Sequence, residues 1–464
     1  MKVARSLPVV TALAVGGLLL TACGGGLDSN GTSSSAAAPA DTAAAAPAGS
    51  AAGSAAGSAP AAASGTVKIG YVAPLTGPLA AFGEGDQWVV DQMTAYFAEH
   101  PISAGGTNYN VQILLKDSQS DPKRAGEIAG ELINTDGVDI VMAHATPETT
   151  VPVAQQCEAN ATPCITADTP WQPWVAGMGG NPGDPSKPFN WTYHFFWGLE
   201  DIAAVNMDIW NQVQTNKKIA AIYANDNDGK AFTDEAHGYP AVVGPAGFAW
   251  NNPGLYPANT QDFTAQINAF KKNGDQILTG IMVPPDFATF WKQAKQQGFS
   301  PKVATMGKAI EFPAAVNAIG DDAIGLSTEV WWAPSYPTTS SLTGLSSADF
   351  AKAYQDATSK QWNVTLGFSE SLFETAAAAV VAAGGTDKTK IADAMKTMTV
   401  NTLVGTLDWN KGPFPNVAKT PLVGGQWRKS SGGPFPYDLV IVSNAHAKEQ
   451  GLDVPTGGKV EPLS

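Results

Sequence analysis

The stretch GVDIVMAHATPETTVPVAQQCEANATPCITA, residues 137–167, decides the fold class. Val138–Ala143 is an apolar run of strand length, residues 148–158 have helical spacing, and Cys164–Ala167 is a second apolar run. Strand, helix and strand in succession bury two parallel strands beneath a crossing helix. The same rhythm extends both ways. Further strands are expected at Val67–Ala73, Val111–Lys116, Ile219–Ala224, Gln276–Met282 and Lys302–Met306. Helices are expected near 83–98, 122–136, 199–215, 229–238, 261–272 and 285–297. Asp121-Pro122 supplies a cap and a first-turn proline for the helix that stops at Gly137. The rhythm breaks near 170–198, where Pro, Gly and aromatic residues cluster between two alternating halves. The expectation is an α/β protein of two lobes with that cluster at the join.

The amino terminus addresses the chain. Lys2 and Arg5 precede an apolar stretch from Leu7 to Leu20 that is too short to span a bilayer permanently, the anatomy of a signal peptide over residues 1–22. It ends Leu20-Thr21-Ala22-Cys23-Gly24, which is similar to a bacterial lipobox with Cys23 as the lipidated residue. Of residues 24–64, only Leu27, Asp28, Asn30 and Asp41 fall outside Ala, Gly, Ser, Pro and Thr. Residues 23–64 therefore read as an anchored, disordered tether. Its root-mean-square reach is roughly 35 Å, taken at about 5–6 Å times the square root of length. The body would sit outside the cytoplasm on a leash. There, Cys157 and Cys164 are expected to form a disulfide, with two unpaired buried thiols as the alternative.

The 464 residues carry 27 Lys+Arg against 41 Asp+Glu, a formal net charge of −14, so a nucleic-acid partner is excluded. No Gly-x-Ser-x-Gly elbow, His-Glu-x-x-His or phosphate loop appears, and the five His lack metal spacing. Neither an enzyme nor a bound cofactor or metal is expected. The loop Asn225-Asp226-Asn227-Asp228-Gly229 resembles part of a calcium loop, but Ala224 stands at its first position.

In open α/β sheets ligands bind beyond the carboxyl ends of the strands. Those positions read Pro74-Leu75-Thr76-Gly77-Pro78, Asp117–Pro122, His144–Glu148, Asp168–Trp171 and Asn225–Gly229. With VKIGYVAPLTGPLAAFGEG (67–85), LLKDSQSDPKRAGEIAGELI (114–133) and the stretch quoted first, the chain resembles the amino-terminal lobe of the leucine/isoleucine/valine-binding family. KIAAIYANDNDGKAF, QDFTAQINAFKKNGDQILTG and FWKQAKQQGFSPKVATMG resemble its second lobe in the same order. The resemblance implies a type I periplasmic-binding-protein fold, two Rossmann-like lobes joined by three crossings, here near 195, 330 and 403. Lobe one would hold residues 66–195 and 331–403, and lobe two 196–330 and 404–464. It also implies an extracytoplasmic substrate-binding lipoprotein of an ABC importer, partnered by a small-molecule ligand and a membrane permease. A ligand-binding receptor of a signalling system is the alternative on this fold.

By position, the resemblance places Thr146 and Thr169 in the loops that offer hydroxyls and amides to a ligand carboxylate. Asp168 is unexpected there, because an anion beside a carboxylate is unfavourable unless turned away, paired or protonated. Phe82 matches an aromatic that closes over the ligand, and Asp228 stands where a Tyr is usual. Amino-acid binders of the family hold the ammonium with an acid after a strand of lobe two. Here Met306-Gly307-Lys308-Ala309-Ile310 puts Lys308 or Ala309 there, with Glu311 nearby. A lysine repels an ammonium and attracts a carboxylate. The expected ligand is thus a carboxylate with an aromatic or bulky apolar body, oriented by Thr146 and Thr169 and neutralised by Lys308. Phe82, Trp171 and Trp331 would cover its body. The alternative is a branched-chain or aromatic amino acid.

Overall fold

The computed structural model describes residues 65–463. The signal peptide, Cys23 and the tether lie outside them.

Lobe one begins with β1 (Gly65–Ala73), β2 (Ile102–Ala104), β3 (Thr107–Asp117), β4 (Ile140–Ala143), β5 (Cys164–Ala167) and β6 (Thr192–Phe195). Lobe two follows with β7 (Lys218–Tyr223), β8 (Ala249–Asn251), β9 (Ile277–Ile281), β10 (Val303–Gly307) and β11 (Ser327–Val330). The carboxyl-terminal part adds β12 (Thr399–Thr402), β13 (Gly405–Asp408), β14 (Val417–Ala418), β15 (Val423–Lys429) and β16 (Tyr437–Ser443). One sheet runs β2-β3-β1-β4-β5-β6-β14 and the other β8-β7-β9-β10-β11-β15-β16. Among the described residues, only β2, β15 and β16 pair antiparallel within them. This is the expected two-lobe type I fold.

The central strands are continuous apolar runs because both of their faces are covered, as in a parallel sheet flanked by helices. Every residue of β4, β5 and β9 is buried. The helix Pro122–Asn134 shows how the sequence sets its own ends. Asp121 Oδ1 accepts the Arg124 N–H at 2.7 Å, Pro122 occupies the first turn, and Ala125, Ile128, Ala129, Leu132 and Ile133 form the buried stripe. The single helix expected over 229–238 is instead two short ones, Asn227–Phe232 and Tyr239–Val243, with Pro240 starting the second.

The chain leaves the first sheet after Phe195 and the second after Val330. The third crossing is not near 403. There β12 and β13 form a hairpin, and Leu403 N–H donates to Glu374 Oε2 at 2.9 Å on the buried helix Leu366–Ala383. The chain stays with lobe one until β14, where Val417 and Ala418 pair with His194 and Phe195. The crossing therefore falls between Ala418 and Val423, and residues 404–418 belong with lobe one. A two-residue strand buries too little apolar pattern to be seen in sequence.

Cys157 and Cys164 are free, fully buried thiols in an apolar cluster under the first sheet. The expected disulfide is not formed. Burial and the neighbouring Cys157 raise the Cys164 thiol well above its ordinary value, so Cys164 stays protonated.

Candidate functional site

The carboxyl ends of both sheets face one another, and aromatic residues at the crossings fill the space between them. Phe196 packs on Trp197 at 4.5 Å, on Trp331 at 5.0 Å and on Phe368 at 5.2 Å between ring centroids. Phe82 reaches from lobe one to Phe312 of lobe two at 4.7 Å and to Trp331 at 6.0 Å. At the same level Asn227 N–H donates to Glu148 Oε1 at 3.2 Å, tying the two lobes. The lobes are closed, and what remains between them is a cavity of about 20 Å³. That is room for about one water, which needs roughly 10–15 Å³ of such space, so any organic ligand must enter a more open form.

Phe82, Asp168, Pro170, Phe196, Trp197, Asp228, Phe232, Ile281, Lys308, Glu329 and Trp331 line this cavity. Its polar members come from strand-end loops on both lobes. Asp168 follows β5 with φ 65°, and Lys308 follows β10 with φ 61°. Asp tolerates this left-handed geometry, whereas Lys rarely adopts it, and such strain gathers at functional sites. Gly307 allows the approach of Glu329, since a Cβ there would come within 2.5 Å of Glu329 Oε1.

Asp168, unexpected in sequence, has a partner. The His144 ring donates through Nδ1–H to Asp168 Oδ2 at 2.8 Å and through Nε2–H to Asp86 Oδ2 at 2.7 Å. Tyr71 Oη–H and Ser369 Oγ–H both donate to the other Asp86 oxygen, at 2.8 and 2.7 Å. Burial opposes a charge on His144, but Asp86 and Asp168 outweigh it and raise the imidazole to about 10. The ring is therefore an imidazolium. Burial pushes Asp168 up to about 6 against the pull of His144.

Lys308 forms a buried ion pair with Asp228, with Asp226 at 3.9 Å. Burial opposes its charge, but Asp228, Asp226 and Glu148 raise its pKa above the ordinary lysine value. Asp228 itself is pushed up to about 7 by burial, against Lys308 and with help from Glu148 and Asp226. Glu311 Oε1 accepts the Lys308 backbone N–H at 2.8 Å. Burial and the adjacent Glu329 hold the Glu311 carboxyl well above the usual range, so these two acids keep a proton between them. Asp226 Oδ1 accepts the Gly229 N–H at 2.7 Å and caps the next helix, the role taken in place of a calcium loop.

Of the residues singled out in sequence, Phe82, Asp228, Lys308 and Trp331 meet at the cavity. Thr146 and Thr169 are buried outside its lining. The Thr169 hydroxyl bonds Thr150 at 3.1 Å, and its carbonyl accepts from His194 Nε2–H at 2.7 Å, a ring that burial keeps neutral by lowering its pKa to about 3. Trp171 lines a neighbouring groove of about 590 Å³ and donates from Nε1 to Glu200 at 3.2 Å. Groove and cavity share a wall, because Trp171, Asn227 and Ala231 line the former while Pro170, Asp228 and Phe232 line the latter. Sequence reasoning missed Phe196, Trp197, Phe232, Ile281 and Glu329. Only the aromatic run at 189–197 carried a signal, and it pointed to packing at the hinge.

Residues 66–431 match the periplasmic binding protein family. A leucine-, isoleucine-, valine-, threonine- and alanine-binding protein of Pseudomonas aeruginosa is 25% identical over 261 residues, 56% of this chain and 64% of that protein, so the alignment spans just under two thirds of its length. A leucine-binding protein from Thermotoga maritima superposes with TM-score 0.66 at 19% identity, covering 82% of this chain and 99% of that one. A solute-binding protein of an ABC transporter from Rhodopseudomonas palustris, crystallised with 3,4-dihydroxybenzoic acid, superposes with TM-score 0.64 at 18% identity, covering 84% and 99%.

Proposed function

The chain belongs to the periplasmic binding protein family, and from that premise we propose that it is the solute-capturing component of an ABC importer. Cys23 would hold it by lipid to the outer face of a membrane, and its ligand would be a small carboxylate with an aromatic or bulky apolar body. One observation carries the ligand reading. The cavity between the lobes is walled by Phe82, Phe196, Trp197, Phe232 and Trp331, and among the described residues Lys308 is the one cation on its lining. Aromatic walls with few directed polar groups suit flat apolar bodies.

Lys308 is engaged by Asp228, so the acid must take the place of Asp228 at the ammonium. With Asp228 near pKa 7, protonation releases it at little cost around neutral pH. Contacts to both lobes then favour the closed form, which the permease would read, by the ligand's differential affinity for the two forms. The aromatic acid bound by the R. palustris protein is in keeping with this chemistry. A second reading, an aromatic or branched-chain amino acid, draws on Glu329, which lines the cavity and is placed to accept from an ammonium.

A thermal-shift screen of matched pairs separates the two: phenylalanine with 3-phenylpropionate, and leucine with 4-methylpentanoate. A ligand of the folded state at a hundredfold excess over Kd adds about 2.7 kcal/mol of stability. Shifts with the deaminated acids are expected. Shifts with amino acids alone would move the assignment to the second reading. Loss of membrane association in Cys23→Ala tests the anchor.

A further inference from the structure

Lobe one presents the cavity with an acceptor where the family resemblance implied donors. Asp168 is only 3% exposed and lines the cavity. Its Oδ2 takes the His144 Nδ1–H, while its Oδ1 is buried with no hydrogen-bond partner among the described residues. A buried, unpartnered carboxylate oxygen is costly, and such a group is normally matched by a donor. The imidazolium behind it, itself held by Asp86, which Tyr71 and Ser369 hold in turn, fixes the carboxylate in place and keeps it from swinging to another partner. Nor do the loop's own hydroxyls reach the cavity: Thr169 is spent on Thr150, and Thr146 is not on the lining. On the same lining, with Lys308, the indole N–H groups of Trp197 and Trp331 are buried donors without partners among the described residues.

We infer that the ligand is two-ended, with its acid directed to Lys308 of lobe two and a hydrogen-bond donor, a hydroxyl or amino group, directed to Asp168 of lobe one. Asp168 is thus a specificity-determining residue, and the ligand lies reversed relative to one whose carboxylate sits in the lobe-one loops. This rests on the aromatic-acid reading for its acid end, while the Asp168 end stands on its own geometry.

Calorimetric titration of the full chain tests it with ligands of one body: 3-phenylpropionate, 3-(4-hydroxyphenyl)propionate, 3-(4-aminophenyl)propionate and 3-(4-methoxyphenyl)propionate. A hydrogen bond to a charged acceptor predicts a gain of about tenfold or more for the hydroxy and amino acids over the parent. The methoxy acid, which has no donor, gains nothing. Asp168→Ala should bring the hydroxy acid to the parent's affinity, and Asp168→Asn should keep part of the gain. The comparison among ligands on the unaltered chain needs no variant to fold. Equal affinity of parent and hydroxy acid on that chain overturns the inference, as does a preference that survives in Asp168→Ala. If no acid binds, the aromatic-acid reading falls, and the pair 2-phenylethylamine and 2-(4-hydroxyphenyl)ethylamine decides. A hydroxyl preference lost in Asp168→Ala upholds the Asp168 end; its absence in both pairs ends it.

Discussion

Replacing Asp228 by Asn should uncouple ligand binding from pH. In the unaltered chain an acid reaches Lys308 only when Asp228 has taken a proton, and Asp228 titrates at about 7. Above that value each pH unit subtracts about 1.4 kcal/mol, a factor of ten, from affinity. At pH 9 the deficit relative to the fully protonated state is then about 2.7 kcal/mol, a hundredfold. Lys308, held above its ordinary value by its acidic neighbours, stays charged throughout, and a ligand carboxylate is already ionised at pH 6. The asparagine side chain has nearly the same shape as the aspartate but no charge to set against the ammonium. The variant should bind 3-phenylpropionate with one affinity from pH 7 to 9, above the range in which Asp168 titrates, and exceed the unaltered chain about a hundredfold at pH 9. Titration calorimetry in two buffers of different ionisation heat reads the protons directly. At pH 8 the unaltered chain should take up about 0.9 proton per ligand and the variant close to none, by the same linkage. Breaking a buried pair costs about 3–5 kcal/mol of stability, here moderated because Asp226 remains 3.9 Å from Lys308, so circular dichroism must first show a folded variant. A proton uptake near zero in the unaltered chain, or the same uptake in both, refutes the reasoning.

Other consequences follow from the same geometry. Trp331→Ala removes a ring that touches Phe82, Phe196, Trp197 and Phe368, and it should cost about 3–5 kcal/mol in unfolding free energy, with ligand affinity lost as well. His144, raised from 6.5 to about 10, contributes stability that is complete below 6.5 and is lost as pH rises through 10. Urea titrations should show this alkaline loss, several kcal/mol on the scale of about 1.4 per unit, vanish in His144→Gln. Cys157 and Cys164 should resist alkylation in the native chain and both react once it is unfolded in the absence of reductant. A mass lowered by a pair of hydrogens, with no reactive thiol, would show a disulfide instead. Glu148→Gln keeps an acceptor for the Asn227 N–H but loses one of the charges raising Asp228, so the pH midpoint of acid binding should move down.

The sequence by itself determined the alternation of β1, β3, β4, β5, β7, β9 and β10 with helices up to residue 307, because strand and helix periodicities are local and these strands are apolar runs bounded by Gly, Pro and Asp. It also picked out Phe82, Asp228, Lys308 and Trp331, which the structure brings to one cavity. The tertiary structure decided what those residues do. Lys308 and Asp228 lie far apart in sequence order yet form one ion pair, and Asp168 is tolerable because His144, held in turn by Asp86 at the start of the first helix, donates to it. The third crossing likewise rests on two residues, Val417 and Ala418, whose strand exists through pairing with β6 and not through any pattern of their own. Charge pairing in a buried cavity depends on distance and desolvation, which no linear spacing encodes. Thr146, Thr169 and Trp171 sit at the right sequence positions and still lie outside the cavity, because a loop's last turn decides which side chain faces it.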